Sequence, residues 1–373
     1  MSFESGYSGI VKKIQQVNPI AYASSRNYID GAVTYLSPYI SRGAISTKQV
    51  LQAMVAAGHK PRQMEKFVQE LAWRDYFQRV AQVHARLFCT DIKQPQPLVA
   101  HEALPLSIIE ASTGIQGIDT AITKLYQTGY MHNHCRMYVA SLACNIARSH
   151  WLTPSRWMYY HLLDADFASN ACSWQWVAGA FSHKKYYADQ QNINRYCHTA
   201  QSGTFLDVPY PRLETMPIPE TLAETSLPKL HTVLPPASAI AVNPAKKTLL
   251  YNSYNLDPLW RAEEDVNRVL LLEPSHFQQL PVSQPSLAFI LQLAKNIPGI
   301  QVWVGEFDDL QQQYPCAGFV CKEHPLFRHY QGLQDERAWM FPQVQGYYPS
   351  FFSYWKKCER YLNDYNPQLT LFV

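Results

Sequence analysis

Residues 162–176 read LLDADFASNACSWQW, and the fold class follows from how that stretch is parsed. Asp166 stands just before an apolar run, where its carboxylate can cap the free amides of Phe167 through Ser169. The spacing therefore predicts a helix starting near Asp166. Asn170 and Trp174 lie one turn apart and face the same way. With Asp164, Asp166 and Trp176 they place carboxylates, an amide and two indoles on or beside a face that should be buried. The run from His161 to Asp166 has the donor types of a metal site. Acidic residues capping the following helix account for it without one, and no metal is expected.

Working outward, the same conflict recurs on two further helices. A helix over Arg62–Leu87 follows Pro61, with Met64, Phe67, Val68, Leu71 and Phe77 at the spacing of a buried stripe. Glu70, Trp73, Arg74 and Phe77 share one side of it, adjoining the stripe rather than opposing it. They either line a polar cavity or form an ion pair beneath an indole. A helix from about Tyr130 to Ser149 contains GYMHNHCRM (129–137), where Asn133, Arg136 and Met137 fall at i, i+3 and i+4. Buried amide and guanidinium groups need partners, and a solvated face would not adjoin the apolar run VASLAC (139–144). Three helices thus offer polar groups and indoles to one interior, which is what a bound heteroaromatic cofactor requires. Tyr22 and the stretch from Thr34 through Ser37 to Tyr39 add hydroxyls and amides before a helix start, which suits a pyrophosphate.

Composition bounds the rest. At 373 residues, with 47% hydrophobic and 16% charged residues, the chain can bury a large core and is not disordered. Nine Trp and 24 Tyr favour a cavity wall or stacking surface over plain packing. A net charge of +3 excludes bulk electrostatic binding of nucleic acid while leaving room for one basic patch. No membrane span or secretory signal is visible, and eight scattered Cys suit reduced thiols, so a cytoplasmic protein is expected. The pair Cys316 and Cys321 lacks the second pair of a zinc site. No dinucleotide fingerprint, phosphate loop or nucleophile elbow is present.

The texture changes along the chain. Residues 1–200 read as an all-helical domain and 201–246 as a Pro-rich linker. Residues 247–373 read as a small α/β domain, with strands in LLYNSY (249–254), RVLLLE (268–273) and QVWVGEF (301–307). A helix in SLAFILQLAKNI (286–297) between the second and third strands implies a parallel sheet. SFFSYWKKCERYL (350–362) is amphipathic and predicts a last helix.

The blocks YLSPYISRGAIS, ELAWRDYF, GYMHNHCRM and LLDADFASNACSWQW, in this order and at similar intervals over residues 20–197, resemble the FAD-binding catalytic domain of DNA photolyases and cryptochromes. The expected class is then mainly α: a helical photolyase-type FAD-binding domain followed by the α/β domain. The latter faintly resembles part of the family's antenna domain, placed after the helical domain rather than before it. The resemblance implies that Tyr22, Thr34 and Ser37 hold the flavin diphosphate, with Thr34 where Ser is commoner. It places Arg74 near the cofactor and Asn170 near N5. Asp164 and Asp166 bind the adenosine and ring portions, with Arg136 paired to Asp164.

The resemblance extends to a lesion pocket. Glu70, Asn133, Met137, Trp73 and Trp176 match the five positions with which dimer-repairing members meet a flipped pyrimidine dimer. Glu70 donates a hydrogen bond, Asn133 and Met137 line the pocket, and the indoles form a wedge. Trp174 and Trp151 match the first two members of the electron-hopping chain. No Trp lies between Trp73 and Trp151, so the usual third member is missing, and Trp157, Tyr159 or Tyr160 is its expected substitute. Arg26 and His134 match positions that meet DNA phosphate, although Arg is usual at the second. HKKYYADQQNINRYC (183–197) resembles a segment of iron–sulfur photolyases, but Cys197 has no companions nearby in the sequence, so no cluster is expected. The implied function is light-driven splitting of cyclobutane pyrimidine dimers in single- or double-stranded DNA, with FAD as cofactor. A cryptochrome-type blue-light sensor acting through a partner is the alternative.

Overall fold

The computed structural model describes residues 3–84 and 86–363. They divide into two compact units. One comprises 24–33 and 86–230; the other comprises 3–23, 34–84 and 231–363. These units run differently from the expected break near residue 200, because residues 34–84 cluster with the α/β segment.

The first unit is helical. Its principal helices are Gln116–Thr128, Asn133–Ser141, Leu152–His161, Phe167–Ala178 and Gln190–Cys197. Asp166 caps the Phe167–Ala178 helix, its Oδ1 accepting from the Ser169 amide at 2.7 Å, and Gly179 ends it in the left-handed region with φ +80°. The helix expected over 130–149 is shorter at its start and changes character. After Ser141 it widens into a π-helical turn, Leu142–Ile146. That turn carries Asn145, whose buried amide donates to the carbonyls of Val177 and Tyr186 at 2.9 and 2.8 Å. A two-residue antiparallel ribbon of β1 (Leu104–Pro105) and β2 (Thr225–Ser226) ties the Pro-rich stretch to this unit.

The second unit joins helices to a parallel sheet. Its long helix, Pro61–Val83, begins with Pro at its first position and a Gln63 side chain bonded back to the Lys60 amide. The strands are β3 (Thr248–Tyr251), β4 (Asn267–Leu272), β5 (Ile300–Val304), β6 (Phe319–Lys322) and β7 (Leu333–Asp335), in the order β5-β4-β3-β6-β7 and all parallel. β3 is buried throughout, as expected for a central strand covered on both faces, which is why it reads as a continuous apolar run. The helices Gln284–Ala294 and Phe351–Asn363 match the expected ones closely.

The second unit also explains where residues 34–84 belong. On the long helix, Asp75 is buried and accepts from Thr47 Oγ1 at 2.9 Å and from the Met340 amide at 3.0 Å. Trp73 lies flat on Phe351, with ring centroids 3.6 Å apart and planes 9° off parallel. These ties satisfy polar groups and bury indole surface that a free helix would leave in water. Among the described residues no helix is long and apolar enough to cross a membrane.

Candidate functional site

The first unit holds one set of candidate residues. Arg136 sits one turn into the Asn133–Ser141 helix. Its Nε donates to the Met131 carbonyl at 2.8 Å, and its Nη2 donates to Asp164 Oδ2 at 2.9 Å. The guanidinium is thereby anchored at two points, so its direction is set by backbone as well as by charge. Asp164 is buried, and its second oxygen, Oδ1, is buried with no hydrogen-bond donor among the described residues. Ser169 Oγ is likewise buried and unpartnered. A bare carboxylate oxygen in such surroundings costs about 1–3 kcal/mol or more unless a donor meets it.

Asn170 donates from Nδ2 to the Ser155 carbonyl of the Leu152–His161 helix at 2.9 Å, which orients its amide. Trp174 is buried on the same helix face, whereas Trp176, two residues on, is 39% exposed and stacks on Tyr186 at 6.1 Å. Two residues along a helix turn through about 200°, so the two indoles serve different faces. Asn133, at the first position of its helix, is exposed, and Met137, one turn later, is half-buried.

Trp151 is wholly buried before the Leu152–His161 helix, and its indole N–H donates to Asp91 Oδ1 at 2.5 Å. Trp157, also buried, donates its indole N–H to the Tyr126 hydroxyl at 3.2 Å. Tyr126 reaches the surface. The pairing of Trp157 with Tyr126 was not legible in the sequence, because the two lie on different helices.

Arg26 and His134 come together in this unit. Burial above all, and then the Arg26 charge, hold the His134 imidazole below its ordinary pKa, against an opposing hydrogen bond that it donates to Asn192. His134 is therefore neutral near pH 7, edge-on to Tyr138 and tilted against Tyr196. His132 is pushed down to about 4, chiefly by burial and then by His134. Cys197, which has no companion nearby in the sequence, has one in space: its sulfur lies 4.0 Å from that of Cys135.

The second unit holds the other set. Glu70 lies on the long helix, a turn beyond Lys66, whose ammonium is 3.5 Å from Glu70 Oε1. Arg74 donates from Nη1 to Ser41 Oγ at 3.1 Å. Tyr22 sets its ring edge-to-face on Phe67 at 5.0 Å. Thr34 Oγ1 accepts from the Leu36 amide at 3.4 Å, just ahead of the short helix Ser37–Ser41, and Tyr35 between them holds the left-handed conformation at φ 54°. Trp73 does not present a bare ring. Phe351 covers one of its faces, and Tyr76 and Phe77 crowd its edges. Phe351 was readable only as part of an amphipathic tail; its contact with Trp73 joins segments far apart in the chain.

Residues 67–232 match the family model described as FAD binding domain of DNA photolyase. A deoxyribodipyrimidine photo-lyase of Synechococcus sp. is 31% identical over 190 residues, covering 48% of this chain and 39% of that protein. One from Vibrio cholerae is 26% identical over 214 residues, covering 55% and 45%. A mitochondrial one from Saccharomyces cerevisiae is 31% identical over 161 residues, covering 39% and 28%. This chain therefore spans less than half the length of these relatives. Among solved structures, a class III photolyase from Agrobacterium tumefaciens covers 56% of this chain and 54% of its own at 21% identity and a TM-score of 0.46. A Synechocystis cryptochrome covers 60% and 49% at the same identity and TM-score. The donor set of the first unit fits a flavin nucleotide. A carboxylate oxygen and a hydroxyl, both buried and unpartnered, are what ring N–H and sugar hydroxyl groups would meet.

Proposed function

Residues 67–232 match the family model described as FAD binding domain of DNA photolyase, and on that match we propose that this chain is a light-driven repair enzyme that splits cyclobutane pyrimidine dimers in DNA. Bound, reduced FAD supplies one electron on absorbing blue or near-ultraviolet light. The remaining work belongs to side chains. Arg136 holds Asp164 so that Oδ1 can receive a donor from the cofactor, and Asp166 and Asn170 take neighbouring polar atoms. Tyr22, Thr34 and Ser37 meet the diphosphate, and Arg74 supplies positive charge.

In its protonated form, released from Lys66, Glu70 donates a hydrogen bond to a carbonyl of the dimer, where negative charge develops after electron transfer. Asn133 and Met137 line the pocket, and Trp73 and Trp176 offer indole surface to the apolar side of a base flipped out of the stack. Trp174 and Trp151 pass electrons inward. Arg26 meets DNA phosphate, while a neutral His134 contributes shape rather than charge.

The observation that carries this reading is the Arg136–Asp164 pair with its second carboxylate oxygen buried and unmet. One observation favours a blue-light sensor instead: Phe351 covers one face of Trp73, which leaves less of the indole open to a flipped base. Chemically reduced protein is illuminated with a short oligonucleotide carrying one thymine dimer, and dimers are counted by chromatography. Loss of dimers only in the light supports repair. No loss in the light with fully reduced flavin removes the repair reading and leaves the sensor.

A further inference from the structure

Two buried thiols meet in the helical unit, one of them on the helix that also carries Asn133, His134, Arg136 and Met137. Cys135 lies on the Asn133–Ser141 helix, and Cys197 is the last residue of the Gln190–Cys197 helix. Their sulfurs are 4.0 Å apart, in contact but not bonded. The two helices are held in register around this contact. The Tyr138 hydroxyl, one turn after Cys135, donates to Asn192 Oδ1 at 2.6 Å, and Tyr196 lies against His134. The helix Gln116–Thr128 presses on the same spot at Gly117. A Cβ there would stand 3.1 Å from Cys197 Cβ and 3.2 Å from its sulfur, so only glycine leaves the thiol this room.

We propose that Cys135 and Cys197 are a dithiol pair that hydrogen peroxide converts to a disulfide, cross-linking these two helices. Peroxide is a small oxidant of a class that reaches a nearly buried thiol. In the first step the Cys197 thiolate attacks one peroxide oxygen. An S–O bond forms, the O–O bond breaks, and the leaving hydroxide takes a proton to become water. In the second, the Cys135 sulfur attacks the sulfenic sulfur of Cys197. The S–S bond forms, the S–O bond breaks, and the second oxygen leaves as water with the Cys135 proton. Two thiols lose two electrons and peroxide gains them.

The surroundings assign the roles. The sulfur–sulfur contact holds the Cys197 thiol below its usual range, while this same contact and burial push Cys135 up. The first turn of the Gln116–Thr128 helix, at Gly117, adds the positive end of a helix dipole beside Cys197. Cys197 is accordingly the attacking thiol and Cys135 the resolving one. Closing the pair requires the sulfurs to approach by about 2 Å, to the ~2.05 Å of a disulfide.

The full chain, reduced and then exposed to peroxide, is alkylated, cleaved with trypsin and read by mass spectrometry. The expected result is loss of two of the eight alkylatable thiols. A cross-linked pair of the peptides 125–136 and 196–212 should appear, reversed by dithiothreitol and independent of flavin occupancy. Cys135→Ser should abolish the cross-link and leave Cys197 trapped as the sulfenic or sulfinic acid. Two free thiols at these positions after treatment would overturn the proposal, as would a cross-link from either cysteine to another partner. Neither result bears on repair, which is measured separately.

Discussion

Arg136 donates to Asp164 at 2.9 Å from an anchor on the Met131 carbonyl, and so turns one carboxylate oxygen toward itself while the other stays buried without a donor among the described residues. A buried pair with one unmet oxygen is costly in isolation. A donor from a ligand would meet that oxygen and offset the cost.

Arg136→Ala should therefore act on cofactor retention before it acts on anything else. Flavin absorbance per mole of purified protein is expected to fall at least tenfold. Unfolding free energy should drop by about 1.5–3 kcal/mol, the range for a lost hydrogen bond to a charged group. Full flavin content in the variant would contradict the assignment.

Glu70→Ala is the contrasting case. Its i,i+4 ion pair with Lys66 is partly exposed and contributes about 0.3–0.5 kcal/mol, so melting should hardly change. Flavin content should also be retained. Dimer splitting per absorbed photon should fall severalfold, and an unchanged yield would remove Glu70 from the lesion pocket.

Electron entry is tested with oxidised flavin. Trp174→Phe should slow photoreduction in the presence of a reductant and spare repair by chemically reduced protein. Trp157 and Tyr126 form a hydrogen-bonded route from core to surface, so Trp157→Phe should slow the same photoreduction with Trp174 and Trp151 intact. Wild-type rates in the Trp157 variant would turn attention to Tyr159 or Tyr160.

Phe351 and Phe352 are neighbours with opposite surroundings. Phe351 is buried on Trp73, whereas Phe352 is 70% exposed. Phe351→Ala should cost about 3–5 kcal/mol in urea unfolding, and Phe352→Ala within about 0.5 kcal/mol of zero. Equal losses would mean that the Trp73–Phe351 stack does not organise this unit.

Acid should weaken the helical unit through its histidines. His132 and His161 are both pushed down to about 4, by burial first. Each is neutral when folded and protonates more readily when unfolded. Their contribution is complete above the unfolded value of about 6.5 and is lost as pH falls from there through about 4, each tenfold difference in proton affinity being worth about 1.4 kcal/mol. Denaturant midpoints measured between pH 7 and 4 should fall, less steeply in His161→Phe. A flat profile would refute this.

Much of the molecule was legible in the sequence because the relevant physics is local. Asp166 before an apolar run is a helix start wherever it folds, and i, i+3, i+4 spacing puts Arg136 and Met137 on the side of the helix that carries Asn133. The parallel sheet followed from short apolar runs interrupted by one helix. Three features were not legible. The widened turn at Leu142–Ile146, the Trp157–Tyr126 bond and the Cys135–Cys197 contact depend on which helices become neighbours.

By itself, then, the sequence determined the helices, the sheet and the chemical types offered to an interior, since capping, periodicity and side-chain chemistry act within a turn or two. Only the tertiary structure decided that Asp164 keeps an unmet oxygen, that Phe351 lies on Trp73, and that two distant thiols touch. Close packing lets a side chain meet whatever the folded chain brings beside it, and no local pattern encodes that partner.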